Sequence, residues 1–221
     1  MATETVENYL KAIFTLRKPG DEDARVPLGD VAGAVGVTPG TATTMVKKLA
    51  GEGLVRYERY GGVQLTVKGE RAATAVLRRH RLIETFLVKT LGMDWSEVHE
   101  DAERLEHAVS DALLERLDRF LGRPSVDPHG DPIPDIDGRF REARVVPVGR
   151  CKAGSRVRLA RVMDQSPEFL RFLDRNGLRI GSSVVVQSAE PGAGTLTLKV
   201  GGKMVTIALA AAGNLMASVA E

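Results

Sequence analysis

The amino-acid sequence predicts a mostly α-helical chain with a smaller β part: a winged helix-turn-helix, a pair of long helices, and a small C-terminal β-barrel. Three observations carry this. Residues 28–69 run helix, turn, helix and hairpin in that order, and residues 68–121 hold two long amphipathic patterns. From about Pro147 the texture changes to short alternating runs separated by glycines.

The first element spans residues 4–17, with Val6, Leu10, Ile13 and Phe14 on one stripe, and ends at the turn-rich "RKPGDEDARVP". "LGDVAGAVG" then reads as a short helix closed by Gly36, and "VTPGTATTMVKKLAGEGL" as a second. "LVRYERYGGVQLTVKG" gives strand, Gly-Gly turn and strand. A long helix is expected from about Lys68 to Leu91 and another from about Ser96 to Leu121, the latter opened by Asp94 with Glu97 three residues on, as in a capping box. "GRPSVDPHGDPIPDIDG" carries four of the ten prolines and reads as an irregular connection. Beyond it "SRVRLARV", "SVVVQSA", "TLTLKV" and "KMVTIAL" alternate as strands, with one short helix near "SPEFLRFLDRNG". The boundaries expected are 1–70, 71–146 and 147–221.

With 221 residues, 43% hydrophobic and 27% charged, the chain has the composition of a soluble globular protein with a real core. No run approaches the ~18 apolar residues of a spanning helix, and "MATETVENYLKAIF" lacks the basic-then-apolar order of a signal peptide. A cytoplasmic protein without a membrane partner is expected. The single Cys151 cannot form an internal disulfide and rules out cysteine-based zinc sites. Residues 94–142 hold 14 acidic and 6 basic side chains, which leaves open a solvated surface or a cation site.

The second helix of the winged unit bears a face suited to a major groove. Thr38 is a natural N-cap and Pro39 suits the first helical position. Ala42, Met45, Val46 and Leu49 fall on one side; Thr43, Thr44 and Lys47 fall on the other, flanked by Thr41 and Lys48. Small hydroxylic side chains admit the helix to base edges, threonine methyls can meet thymine methyls, and lysines neutralise phosphates. Arg56, Arg59 and Tyr60 on the hairpin would lie beside the backbone. The plainer alternative is an ordinary solvated face, or a helix-turn-helix used for protein contact. Double-stranded operator DNA is the expected partner because helix, turn and wing come in the right order.

The long helices carry the metal-ligand types. In "RRHRLIETFL", His80 and Glu84 lie one turn apart inside an apolar stripe, where a buried carboxylate costs several kcal/mol unless compensated. In "VHEDAERLEH", His99, Glu103, Glu106 and His107 share an arc of roughly 100° on one helix. A single His/Glu pair at this spacing is ordinarily a satisfied intrahelical pair; six such residues on adjacent helices point to a divalent ion. Imidazole and carboxylate without thiolate favour Mn(II), Fe(II) or Zn(II), and the carboxylate share leans to the first two. Two other readings remain: a carboxylate/histidine di-metal enzyme, for which the Glu-x-x-His spacing is missing from both helices, and a winged-helix regulator of an organic ligand.

Taken together, the winged helix-turn-helix, "RRHRLIETFL", "VHEDAERLEH", the following "VSD" and "DPHGDPIP" resemble the metal-dependent repressors typified by the diphtheria toxin repressor, together with the manganese transport regulators. The likeness covers nearly the whole chain. It implies a non-enzymatic, homodimeric, metal-activated repressor of metal-uptake genes, with a winged helix-turn-helix, a helical metal-binding and dimerisation domain, and a C-terminal SH3-like β-barrel. It also implies up to two metal ions per subunit, Mn(II) or Fe(II). An ancillary site would use His80, Glu84 and His99 with Gln165 and Glu168; a primary site would use Glu103, Glu106 and His107 with a first-helix residue that aligns with Asn8. Glu103 stands where the toxin-repressor branch has cysteine and the manganese branch glutamate, which favours Mn(II), with Fe(II) next. Asn8 replaces a methionine or an aspartate, and Lys11 stands where the manganese branch has a second carboxylate. Metal would tie the first helix to the dimerisation helices and fix the spacing of two recognition helices for half-sites ~34 Å apart.

Overall fold

The computed structural model describes residues 3–17, 24–141 and 143–219, of Val219 the backbone alone. Part of the expected turn-rich stretch after the first helix, residues 18–23, lies outside the described residues. The chain forms two compact units: one comprises residues 1–80, 106–109 and 134–139, the other residues 81–105, 110–133 and 140–221.

In the first unit α1 (Glu4–Leu16) buries Val6, Tyr9, Leu10 and Ile13 at helical spacing. Helices α2 (Leu28–Ala34) and α3 (Pro39–Gly51) follow, then the strands β1 (Val55–Glu58) and β2 (Gly62–Leu65). The strands pair antiparallel with Val55 opposite Leu65 and Glu58 opposite Gly62, and Val26 bridges to Val63. Their shared core joins Leu10, Ile13, Val31, Ala42, Val46, Leu49 and Val63. Helix α4 (Val67–Leu91) starts beside this hairpin. A Cβ at Gly69 would stand 1.9 Å from the Leu54 carbonyl oxygen, so only glycine admits that approach.

Residues of α4 from Arg81 onward belong to the second unit, with α5 (Val98–Leu105), α6 (Asp111–Phe120), β3 (Val146–Pro147), β4 (Arg156–Val162), α7 (Pro167–Arg175), β5 (Ser183–Glu190), β6 (Thr195–Val200), β7 (Lys203–Ala208), α8 (Leu209–Gly213) and β8 (Leu215–Val219). Six strands form an antiparallel SH3-like sheet in the order β3-β8-β4-β5-β6-β7 around Leu159, Leu170, Leu173, Val186, Leu196, Leu198 and Leu215. The sequence signalled β4 to β7 and α7. It did not signal β3, only two residues long, or β8, whose "LMASV" lacks a β-branched run.

One expectation is corrected. The helix expected from Ser96 to Leu121 is two helices, because the chain leaves α5 after Leu105 and restarts at Ser110, whose hydroxyl accepts from the Leu113 N–H at 3.3 Å and caps α6. Asp94 does not close a capping box: its carboxylate accepts from the backbone N–H and hydroxyl of Ser96, making a turn ahead of α5. Glu106 and His107 therefore do not continue the helical face of His99 and Glu103. Glu106 is fully buried, and the turn delivers its carboxylate to cations of the first unit, a compensation that a solvated helix face could not offer. The Pro-rich stretch is irregular but pinned: Val126 bridges to Pro132, and the Gly130 N–H donates to the Asp127 carbonyl.

Candidate metal centres and DNA-binding surface

In the first unit the amphipathicity of α1 puts Glu7 and Lys11, one turn apart, next to the turn after α5. Glu7 accepts from Arg79 Nη2 through Oε1 at 2.7 Å, and its Oε2 lies 2.6 Å from His107 Nδ1. Glu106 Oε1 accepts from Lys11 Nζ at 2.5 Å and lies 3.4 Å from His107 Nε2; its Oε2 lies 2.6 Å from His80 Nδ1. A fully buried carboxylate is thus held by one ammonium and one imidazole. Among the described residues of this unit, Asn8 Oδ1 and Tyr9 OH on α1, Arg79 Nε and His107 Nε2 are buried without a hydrogen-bond partner. Buried lone pairs left unmatched beside carboxylate and imidazole donors are what a divalent cation fits.

The second unit holds another cluster. Glu84, 2% exposed on α4, faces two imidazoles: His99 Nδ1 is 3.5 Å from Oε1 and His129 Nδ1 is 3.7 Å from Oε2. His99 Nε2 lies 3.6 Å from Glu103 Oε1, one turn along α5. Asp127 Oδ1 accepts from the backbone N–H groups of His129 and Asp131 at 2.8 and 2.9 Å. Arg81 faces both Asp127 and Asp131, and Arg161 pairs with Asp131. Burial pushes the Asp127 carboxyl up to about 7, helped by the neighbouring Asp131 and Glu84 charges. Burial disfavours the His129 imidazolium, yet the Glu84 and Asp127 carboxylates and the Trp95 carbonyl outweigh it and raise His129 to about 9.

Gln165 and Glu168, both expected as ligands, sit at the start of α7. The Gln165 amide nitrogen donates to Asp131 Oδ2 at 3.0 Å, which leaves its oxygen for a ligand, and Gln165 lines a cavity of about 400 Å³ with His99, His129 and Trp95. Glu168 is exposed on the first turn of α7. Of the residues carrying these clusters, the sequence did not single out Glu7, Arg79 or Asp127, and it read the lone His129 as structural or solvent-exposed. The Pro-rich motif that holds the last two was their one visible signal.

On α3 the Thr38 side chain accepts from the Thr41 N–H at 3.3 Å, as an N-cap should. Thr38, Thr41, Thr44, Lys47 and Lys48 are exposed. Thr43 is half-buried, and its hydroxyl donates to the Pro39 carbonyl at 2.7 Å, so its methyl is the part left to face outward. At the wing tip Tyr60 takes a left-handed conformation, φ 68°, and is 93% exposed, with the Arg59 guanidinium 5.0 Å over its ring.

Comparison with known proteins bears on both surfaces. Residues 1–63 match the iron-dependent repressor N-terminal DNA-binding domain, and residues 66–135 match the iron-dependent repressor metal-binding and dimerisation domain. The diphtheria toxin repressor of Corynebacterium diphtheriae (strain ATCC 700971 / NCTC 13129 / Biotype gravis) is 32% identical over 215 residues, 92% of each chain. This chain belongs to the iron-dependent repressor family. Residues 146–219 match the FeoA domain, the SH3-like part of this repressor-family chain. The iron-dependent repressor IdeR of Mycobacterium leprae (strain TN) is 33% identical over 161 residues, 70% of this chain and 69% of that one. A solved structure described as a manganese-dependent transcriptional repressor in complex with manganese superimposes with a TM-score of 0.89 at 38% identity, covering 97% of this chain and all of that one. Relatives of this family member thus carry both iron and manganese in their names.

Proposed function

We propose that this protein is a homodimeric transcriptional repressor activated by a divalent metal ion, Mn(II) favoured and Fe(II) next, that binds double-stranded operator DNA in the cytoplasm and catalyses no reaction. Residues 1–70 would bind DNA, residues 71–146 would bind metal and dimerise, and residues 147–221 would form the SH3-like domain. The observation that carries this reading is Glu106: its buried carboxylate meets Lys11 of α1 and His80 of α4 at hydrogen-bond distance, while His107 Nε2 and Asn8 Oδ1 have no hydrogen-bond partner.

Glu106, His107 and Asn8 would hold the primary ion with Glu103, and Glu84, His99 and His80 a second, with Gln165 and Glu168 as further donors. Bound metal supplies a double positive charge that the like-charged carboxylates share. Glu7 and Lys11 already tie α1 to the Glu106 turn, and α1 packs into the core that seats α3. A shift of the turn is therefore transmitted to the recognition helix through packed side chains, and metal gains leverage by binding the DNA-competent arrangement more tightly. Thr38, Thr41, Thr43 and Thr44 would meet base edges, with Lys47, Lys48 and Arg59 on phosphates. Dimerisation is favoured by the apolar surface of the second unit, where Leu91, Leu113 and Phe120 are 59%, 47% and 68% exposed.

The test begins with duplexes selected from a random pool by Mn(II)-loaded protein. Their mobility shift is then measured with Mn(II), with Fe(II) under anaerobic conditions, and with chelator. Binding only with metal is expected; equal binding in chelator would overturn the reading.

A further inference from the structure

The basic side chains of the C-terminal sheet have no role in the reading above. Residues 150–221 carry 10 basic and 5 acidic side chains, the reverse of the acidic stretch before them. Arg161, Arg171 and Arg179 are matched by Asp131, Glu97 and Asp174. Arg156 and Arg158 on β4 and Lys199 on β6 are exposed and, among the described residues, pair with no carboxylate.

Strand geometry gathers these three charges onto one face. Arg156 and Arg158 point outward while Val157 and Leu159 enter the core, and Lys199 points outward between the buried Leu198 and Val200. The register then sets them in line: Arg156 lies opposite Val185, Val185 opposite Lys199, and Lys199 opposite Met204, one row across four adjacent strands. Arg158 stands one row away, between Ser183 and Ser218. At about 4.8 Å between strands and about 3.4 Å per residue, Arg156 is about 7 Å from Arg158 and about 10 Å from Lys199 along the backbone grid. The Arg158 guanidinium donates through Nη1 to the Gly181 carbonyl at 2.9 Å, which holds its head at the face and leaves its other N–H groups for an acceptor.

Like charges gathered on one face weaken a sheet unless something offsets them. Glu190 is the one carboxylate on strands β3 to β8, and it stands opposite Thr195, four residues along β6 from Lys199. That is about 14 Å, beyond the ~8 Å screening length at 0.15 M salt. The counter-charge must therefore come from a ligand, and the layout favours one kind. An extended acidic peptide adds to a sheet edge, whereas these charges run across the strands. Arginine, lysine and serine hydroxyls side by side are the groups that contact DNA phosphates, which recur every ~3.4 Å of axis on each strand.

We propose that the outer face of the C-terminal sheet, through Arg156, Arg158 and Lys199, binds the phosphate backbone of duplex DNA without regard to sequence. It is a second DNA contact besides the recognition helix, and it rests on the reading that the chain binds DNA. Each phosphate neutralised releases counterions, so the face adds affinity and salt dependence but no base preference.

The Mn(II)-loaded full chain and its variant Arg156→Gln/Arg158→Gln/Lys199→Gln are titrated at several salt concentrations with a selected duplex and with one of random sequence. At about 0.9 per contact, the slope of log K against log salt should become shallower by about 2.7, and affinity at 0.15 M salt should fall about 100-fold, on both duplexes alike. Thermal unfolding and Mn(II) uptake should match those of the unaltered chain. Arg150→Gln/Arg175→Gln removes two exposed charges that lie off the strands and should leave the slope unchanged. An unaltered slope in the triple variant would overturn the proposal and leave metal-dependent DNA binding standing; an equal fall per charge in the double variant would overturn it in favour of a diffuse charge effect. Poly-glutamate bound more tightly than the random duplex at equal salt would overturn it in favour of an acidic protein partner. Failure of the unaltered chain to bind any duplex with Mn(II) or Fe(II) would overturn the proposed function, and this contact with it.

Discussion

Replacing Lys11 by Gln should make the primary centre bind metal more tightly. Lys11 Nζ lies 2.5 Å from Glu106 Oε1, with the Glu106 side chain fully buried and that of Lys11 13% exposed. At an effective dielectric constant of about 20, the gross attraction of unit charges at that separation is about 7 kcal/mol, most of it offset by removing both from water. A charge-assisted hydrogen bond contributes about 1.5–3 kcal/mol net, which an ion competing for Glu106 must replace. At 1.4 kcal/mol per factor of ten, its removal should raise affinity about 10- to 100-fold. Gln removes the charge, and any hydrogen bond its amide still donates to the carboxylate holds the gain toward the lower end of that range. Calorimetric titration with Mn(II) would measure the change, and thermal unfolding in chelator should show the metal-free variant less stable. Unchanged or weaker Mn(II) affinity would refute the competition between Lys11 and the ion.

Lys47→Ala should weaken binding uniformly across DNA sequences and lower the slope of log K against log salt by about one, read by titration at several salt concentrations; an unaltered slope would remove Lys47 from the phosphate contacts. Gly130→Ala should destabilise the fold by about 2–4 kcal/mol in urea, because φ is +85° and the added Cβ would stand 2.0 Å from the Ala160 carbonyl oxygen. In chelator, the raised pKa of His129, about 9 against 6.5, means the folded state binds more protons between those values. Its stabilisation is full below pH 6.5 and is lost as pH rises through about 9, so the urea midpoint should fall across that window and the slope should flatten in His129→Phe.

What the sequence made legible follows from local causes. The Thr38 cap with Pro39 behind it, the Gly-Gly turn of the wing, and the 3.6-residue stripe of α4 all depend on neighbours in the chain. The break between α5 and α6 was not legible, because "ERLEHAVSDALLER" keeps helical periodicity through the gap. What decides against a continuous helix is tertiary: Glu106 is drawn to Lys11 and His80, and Ser110 can restart the helix. The same cause hid part of the candidate sites. His80, Glu84, His99, Glu106 and His107 stood out by residue type and spacing. Glu7 and Asp127 look like surface acids in sequence, and only the fold gives the one a half-buried cation and the other backbone amides to hold.

The two clusters differ in how their buried carboxylates are compensated, and this bears on which ion does what. Glu106 has a lysine that the chain itself carries on α1, so an ion arriving there must displace or reposition part of the DNA-binding unit. Binding energy is then converted into a change in that helix, which a regulatory site requires. Glu84 faces imidazoles, one exposed on α5 and one locked against Trp95, and its surroundings are pinned by Asp127, Arg81 and the backbone of the Pro-rich segment. An ion there would meet a framework already in place and add rigidity to it with little rearrangement. Differential affinity between two conformations, the quantity that makes a metal a signal, should therefore reside at Glu106, and Lys11 sets its threshold.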